Sequence, residues 1–106
     1  MEKTISDLKK IKSQVFESQK LQNPPPYYLE HPAKNVIEIL NGISTNDSEL
    51  KDWINWRIKN LKILISDLPG ELQGDYDRKN MRYKSKFLKE YDKLKNIIDS
   101  IILKLK

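Results

Sequence analysis

Apolar residues recur along most of this chain at spacings of three and four, the period of one face of an α-helix. Ile5, Leu8, Ile11 and Val15 make the first stripe, with Phe16 beside it and Leu21 at its end. They predict a helix over Ser6–Gln22, with Thr4 as cap and Asp7 in the first turn. Ala33, Val36, Ile37, Leu40 and Ile43 make a second, shorter stripe. Pro32 suits its first helical position and Gly42 its end. The third stripe is Leu50, Ile54, Ile58, Leu61, Ile65 and Leu68, flanked by Trp53 and Leu64, and predicts a helix over Asp47–Leu68. The turn cluster 44–48 precedes it, and Asn46 with Glu49 resembles a capping box. Pro69-Gly70 is expected to stop it. A polar loop, Pro69–Asp77, then leads to the longest helix, Arg78–Leu105, capped by Asp77. Its seam is Phe87, Tyr91, Leu94, Ile98, Ile101 and Leu105, widened by Leu88, Ile97 and Ile102 as a bundle core requires.

No segment alternates with the period of two that a strand needs. The expected fold is therefore all-α, a small antiparallel bundle of three long helices and one short helix in a single domain over 1–106. Between helices 1 and 2 lies Gln22-Asn23-Pro24-Pro25-Pro26-Tyr27-Tyr28. Three consecutive prolines impose an extended polyproline course, so this stretch reads as a stiff strap with Tyr27 and Tyr28 packed beneath it. Pro24-Pro25-Pro26-Tyr27 also matches the Pro-Pro-x-Tyr ligand pattern of WW domains, although a packed linker is the stronger reading.

With 106 residues, 38% apolar and 33% charged, the chain can bury a modest core without staples. It has no cysteine, which excludes a disulfide scaffold and thiolate chemistry. The N-terminus has no apolar h-region and the longest aliphatic runs are three residues, so a cytoplasmic protein without a membrane span is expected.

Candidate chemistry is thin. The single histidine, His31, precedes Pro32 and reads as a residue near a helix cap. The glycines are isolated, and Glu71, Asp75 and Asp77 lack the ligand spacing of a calcium loop. No catalytic residue, metal site or cofactor is assigned, and the chain reads as not an enzyme. An enzyme reading would rest only on the meeting of this acidic loop with the basic residues that follow it.

Binding features are more evident. The net charge is +5, yet residues 78–106 hold ten basic and three acidic residues, a balance of +7. Lys79, Arg82, Lys86, Lys89 and Lys93 are expected along one stripe of helix 4, with Arg78 as a further candidate contact and Tyr83 among them to stack on a base. Such a face suits nucleic acid or an acidic protein surface. On helix 3, Trp56 and Ile63 share a face off the core stripe. Burial under the wrap of helices 1 and 2 is the favoured expectation, and an exposed contact patch is the alternative. Trp56, Ile63, Tyr27 and Tyr28 are the candidate protein-contact residues.

In length, basic charge, lack of cysteine and helical pattern, the chain broadly resembles the small cytosolic immunity proteins of bacteriocin producers. The segment Val36-Ile37-Glu38-Ile39-Leu40-Asn41-Gly42-Ile43-Ser44 is compatible with a helix of such a bundle. That resemblance implies an immunity or inhibitor role through protein contact. The first expectation remains a non-catalytic accessory protein whose helix 4 meets nucleic acid or a nucleic-acid-handling complex. A protein partner is expected, with nucleic acid and a second copy of the chain as further candidates.

Overall fold

The computed structural model describes residues 1–20, 27–77, 82–83 and 85–106, with side chains for 1–20, 29–67 and 89–106. Four helices carry the fold: α1 (Glu2–Gln19), α2 (Tyr27–Asn41), α3 (Ser48–Asp75) and α4 (Ser85–Leu105). Between α3 and α4, β1 (Tyr76–Asp77) pairs antiparallel with β2 (Arg82–Tyr83), in the register Tyr76 to Tyr83 and Asp77 to Arg82.

The helices form an antiparallel bundle in which each packs on its sequence neighbour and α4 closes onto α1. Side chains show the run of each pair. On α1 and α4, Lys12 meets Asp99 and Gln19 meets Asp92. On α3 and α4, Lys104 lies over Trp53 while Asp67 and Glu90 line one groove. Both pairs therefore run in opposite directions.

The core is the predicted stripes, meeting. Leu8, Ile11 and Val15 of α1 face Ala33, Val36 and Leu40 of α2, Ile54, Ile58, Leu61 and Leu64 of α3, and Tyr91, Leu94, Ile98, Ile101 and Ile102 of α4. Leu29, absent from the predicted stripes, is fully buried as well. Ile5, Leu50, Trp53, Ile65, Ile97 and Leu105 pack half-buried around this set. Leu68, Phe87 and Leu88 lie outside the residues whose side chains are described.

Element ends depart from expectation. The first helix begins at Glu2, with Met1 rather than Thr4 at its cap and no side-chain cap bond. The second begins at Tyr27, so Pro32 is its sixth residue and buried. A proline there forfeits the bond to the carbonyl of Tyr28 and crowds that carbonyl, past the first four donors that lack partners in any helix. Of the strap expected over 22–28, residues 22–26 lie outside the described residues, while Tyr27 and Tyr28 open α2. Gly42 closes α2 by donating to the carbonyls of Glu38 and Ile39, both at 3.1 Å. A Cβ at Gly42 would meet only ordinary contacts, so no left-handed turn demands glycine there.

At α3 the cap is Asp47, not Asn46. Asp47 Oδ1 accepts from the backbone of Glu49 at 3.0 Å and Leu50 at 3.3 Å, while Thr45 Oγ1 accepts from Asp47 N. The helix then runs past Pro69-Gly70 to Asp75. A proline inside a helix costs about 3 kcal/mol but does not forbid it. Asp77 pairs with Arg82 instead of capping helix 4, which starts at Ser85 and not Arg78.

Candidate functional site

Two of the large exposed apolar side chains, Trp56 and Ile63, lie on α3. The core stripe of α3 is Ile54, Ile58, Leu61 and Leu64, and it turns toward α2 and α4. Trp56 lies two residues from Ile54 and Ile58, and Ile63 two from Leu61, and at 100° per residue that rotates them outward. They are 51% and 52% exposed. The favoured expectation of burial under helices 1 and 2 is thus corrected. α1 packs on α2 and α4, on the far side of the bundle from this face, and α2 covers only the inner side of α3.

Arg57 lies between the two tryptophans of the same helix. Its guanidinium stands 4.3 Å from the Trp56 ring and 5.3 Å from the Trp53 ring, and the ring centroids are 6.4 Å apart at 56°. Lys104 of α4 lies 5.7 Å over Trp53. Arg57 Nε is buried with no hydrogen-bond partner among the described residues. Desolvation holds the guanidinium pKa below its ordinary value, because burial penalises the charged form. Arg57 escaped the sequence reading because the stripe logic sorts residues by apolar period. The available signal was the spacing Trp53-x-x-Trp56-Arg57, which puts a cation beside two rings on one helix face.

From Arg57 a groove of about 350 Å³ runs between α3 and α4, past Asn60, Ile63 and Leu64 to Asp67 on one wall and Glu90, Lys93, Asn96 and Ile97 on the other. Glu90 is 7% exposed, the buried charged residue of the core region. Its carboxylate accepts from Lys93 Nζ at 2.7 Å. A buried carboxylate needs such a partner.

The basic stripe is altered by the late start of α4. Arg82 and Tyr83 belong to β2, and Lys86, Lys89 and Lys93 belong to α4, so a single helical face from Lys79 to Lys93 does not exist. Arg78 and Lys79 lie outside the described residues, as do the side chains of Arg82, Tyr83 and Lys86. Lys89 is exposed, whereas Lys93 is joined to Glu90. The side chains of Tyr27 and Tyr28 also lie outside the description.

The α1–α4 seam has its own polar tie. Lys95 Nζ donates to Gln19 Oε1 at 2.5 Å and pairs with Asp92 at 3.1 Å, and Gln19 Nε2 donates to Asp92 at 3.0 Å. The bond from Gln19, then that from Lys95, holds the Asp92 carboxyl below its usual range. Phe16 lies under Lys20 at 4.3 Å and Lys95 at 5.2 Å. His31 is exposed within α2 rather than at its cap. Among the described residues no three His, Cys, Asp or Glu side chains gather as a metal site, and no helix is long and apolar enough to cross a membrane. The chain matches no protein-family model, no curated protein and no solved structure.

Proposed function

We propose that this is a non-catalytic binding protein that acts through protein–protein contact on the α3–α4 face. The observation behind this reading is the pair Trp56 and Ile63. Two large apolar side chains lie two helical turns apart and half-exposed, and Ile63 lines a groove with Leu64 and Ile97. Trp and Arg dominate the binding energy of protein interfaces, and here both occur together at the groove's end. If the partner is a toxin, the role is of the immunity or inhibitor type. If it belongs to a nucleic-acid-handling complex, the protein is an accessory subunit.

Affinity capture from the native host, with wild-type protein beside the double variant Trp56→Arg/Ile63→Arg, tests this. A partner held by the wild type and lost by the variant, at unchanged helicity, supports the reading. A partner held equally by both places recognition elsewhere. One observation favours a second reading, that the C-terminal quarter meets nucleic acid or an acidic surface. It is the +7 balance of residues 78–106, to which exposed Lys89 contributes.

A further inference from the structure

We infer that Arg57 reads a carboxylate, and that the segment docking on the α3–α4 face is an acidic amphipathic stretch of a partner protein. The inference rests on the protein-contact reading and names the chemistry of the partner. Three observations carry it.

The first is the state of the guanidinium. It is held by two ring faces, at 4.3 and 5.3 Å, with a donor buried and unsatisfied among the described residues. Asp67 and Glu90 line the same groove, yet neither makes an ion pair with it. Glu90 is turned to Lys93 instead. Arg57 is therefore a positioned cation whose two Nη groups, unlike the buried Nε, stay open to an external anion, and a carboxylate matches that pair in a bidentate bond. Its partial desolvation, visible in its lowered pKa, strengthens the attraction that an incoming anion would feel.

The second is the layout. Trp56 and Ile63 are seven residues apart, about 10.5 Å along α3. The cation sits at the Trp56 end of this apolar pair. A helix whose apolar residues recur at seven, with an acid beside one of them, presents the complementary pattern. Lys104 over Trp53 adds positive charge at the same end, and the chain as a whole carries +5, which steers an acidic partner toward it.

The third separates protein from nucleic acid. A phosphate backbone places a charge every few ångström and needs a run of cations. This groove has no run of cations: Arg57 and Lys93 share it with the carboxylates of Asp67 and Glu90, and Lys93 is joined to Glu90. A backbone of phosphates finds balanced charge there rather than a row of cations, whereas one or two carboxylates at the Arg57 end need only that single guanidinium.

The test uses two synthetic helical peptides, with leucines seven apart and either glutamates or glutamines beside them. Emission of Trp53 and Trp56, the only tryptophans in the chain, reports binding to the intact protein. The glutamate peptide is expected to bind about tenfold more tightly than the glutamine peptide, a gap that narrows as salt rises. Arg57→Gln should close the gap, and Arg57→Lys should keep only part of it, because an ammonium cannot fork. Equal binding of the two peptides to the wild type overturns the carboxylate reading and leaves the contact face standing. So does a gap that survives Arg57→Gln in a variant of unchanged helicity. No binding of the glutamate peptide at about 1 mM overturns the inference on its own, since host capture with the Trp56/Ile63 variant decides the contact face separately. A single-stranded oligonucleotide that outcompetes the glutamate peptide at equal salt also overturns it.

Discussion

At the scale of single residues, two lysines that look alike in sequence have different jobs. Lys89 is exposed with no part in the core, whereas Lys93 neutralises the buried carboxylate of Glu90. Removing one partner leaves the other buried and under-satisfied, which costs about 1–3 kcal/mol. Lys93→Ala should therefore lower stability by that order while Lys89→Ala is nearly silent. Denaturant midpoints of the two variants check this. Leu94 is fully buried between the helices, and Leu94→Ala should cost about 2–5 kcal/mol in the same assay. A pH-dependent term belongs to Asp92. Its folded pKa lies below the ordinary 3.8, so the carboxylate stabilises the native state above that value. That contribution is lost as pH falls through the ordinary value toward the folded one. The stability difference between wild type and Asp92→Asn should accordingly be present at pH 7 and shrink below about pH 4. Asp92 is mostly exposed, so the difference is small and needs paired denaturation curves to be read.

At the scale of elements, stripes proved more legible than ends. Tyr91, Leu94, Ile98 and Ile101 sit in the core as their spacing requires, because burial averages over several turns and tolerates a shifted terminus. Ends depend on single hydrogen bonds. Asn46 and Asp47 are adjacent and both are good caps, and only the backbone path decided for Asp47. Asp47→Ala should cost about 0.5–2 kcal/mol, and Asn46→Ala should cost much less, as thermal unfolding of the two would show. Prolines misled in both directions. Pro32 suits a helix start yet lies inside α2, and Pro69 suits a helix stop yet lies inside α3. A cost of about 3 kcal/mol is decisive for an isolated helix and is offset in one held by tertiary packing of its apolar face. The late start of α4 at Ser85 follows from the β1–β2 pairing, a non-local contact that no helical period announces.

At the scale of the whole molecule, charge and shape can be tested apart. The excess positive charge lies in residues 78–106. If that segment meets phosphates, gel shifts with DNA or RNA should weaken steeply between two salt concentrations, by counterion release. Lys89→Ala should reduce that salt slope without touching the α3–α4 face. Absence of any shift at low salt sinks the nucleic-acid reading. The chain's own pattern determined the all-α class, the four amphipathic segments and most of the core, because burying one face of each helix is a local demand written at three-and-four spacing. It also determined the charge asymmetry, a matter of counting. Only the tertiary structure decided which side of α3 stays uncovered. Trp56 and Ile63 have the same spacing whether a neighbour lies over them or not, and the answer depended on α1 packing across the bundle on α2 and α4. The open guanidinium of Arg57 arises likewise, since Glu90, its potential partner across the groove, is claimed by Lys93 on its own helix.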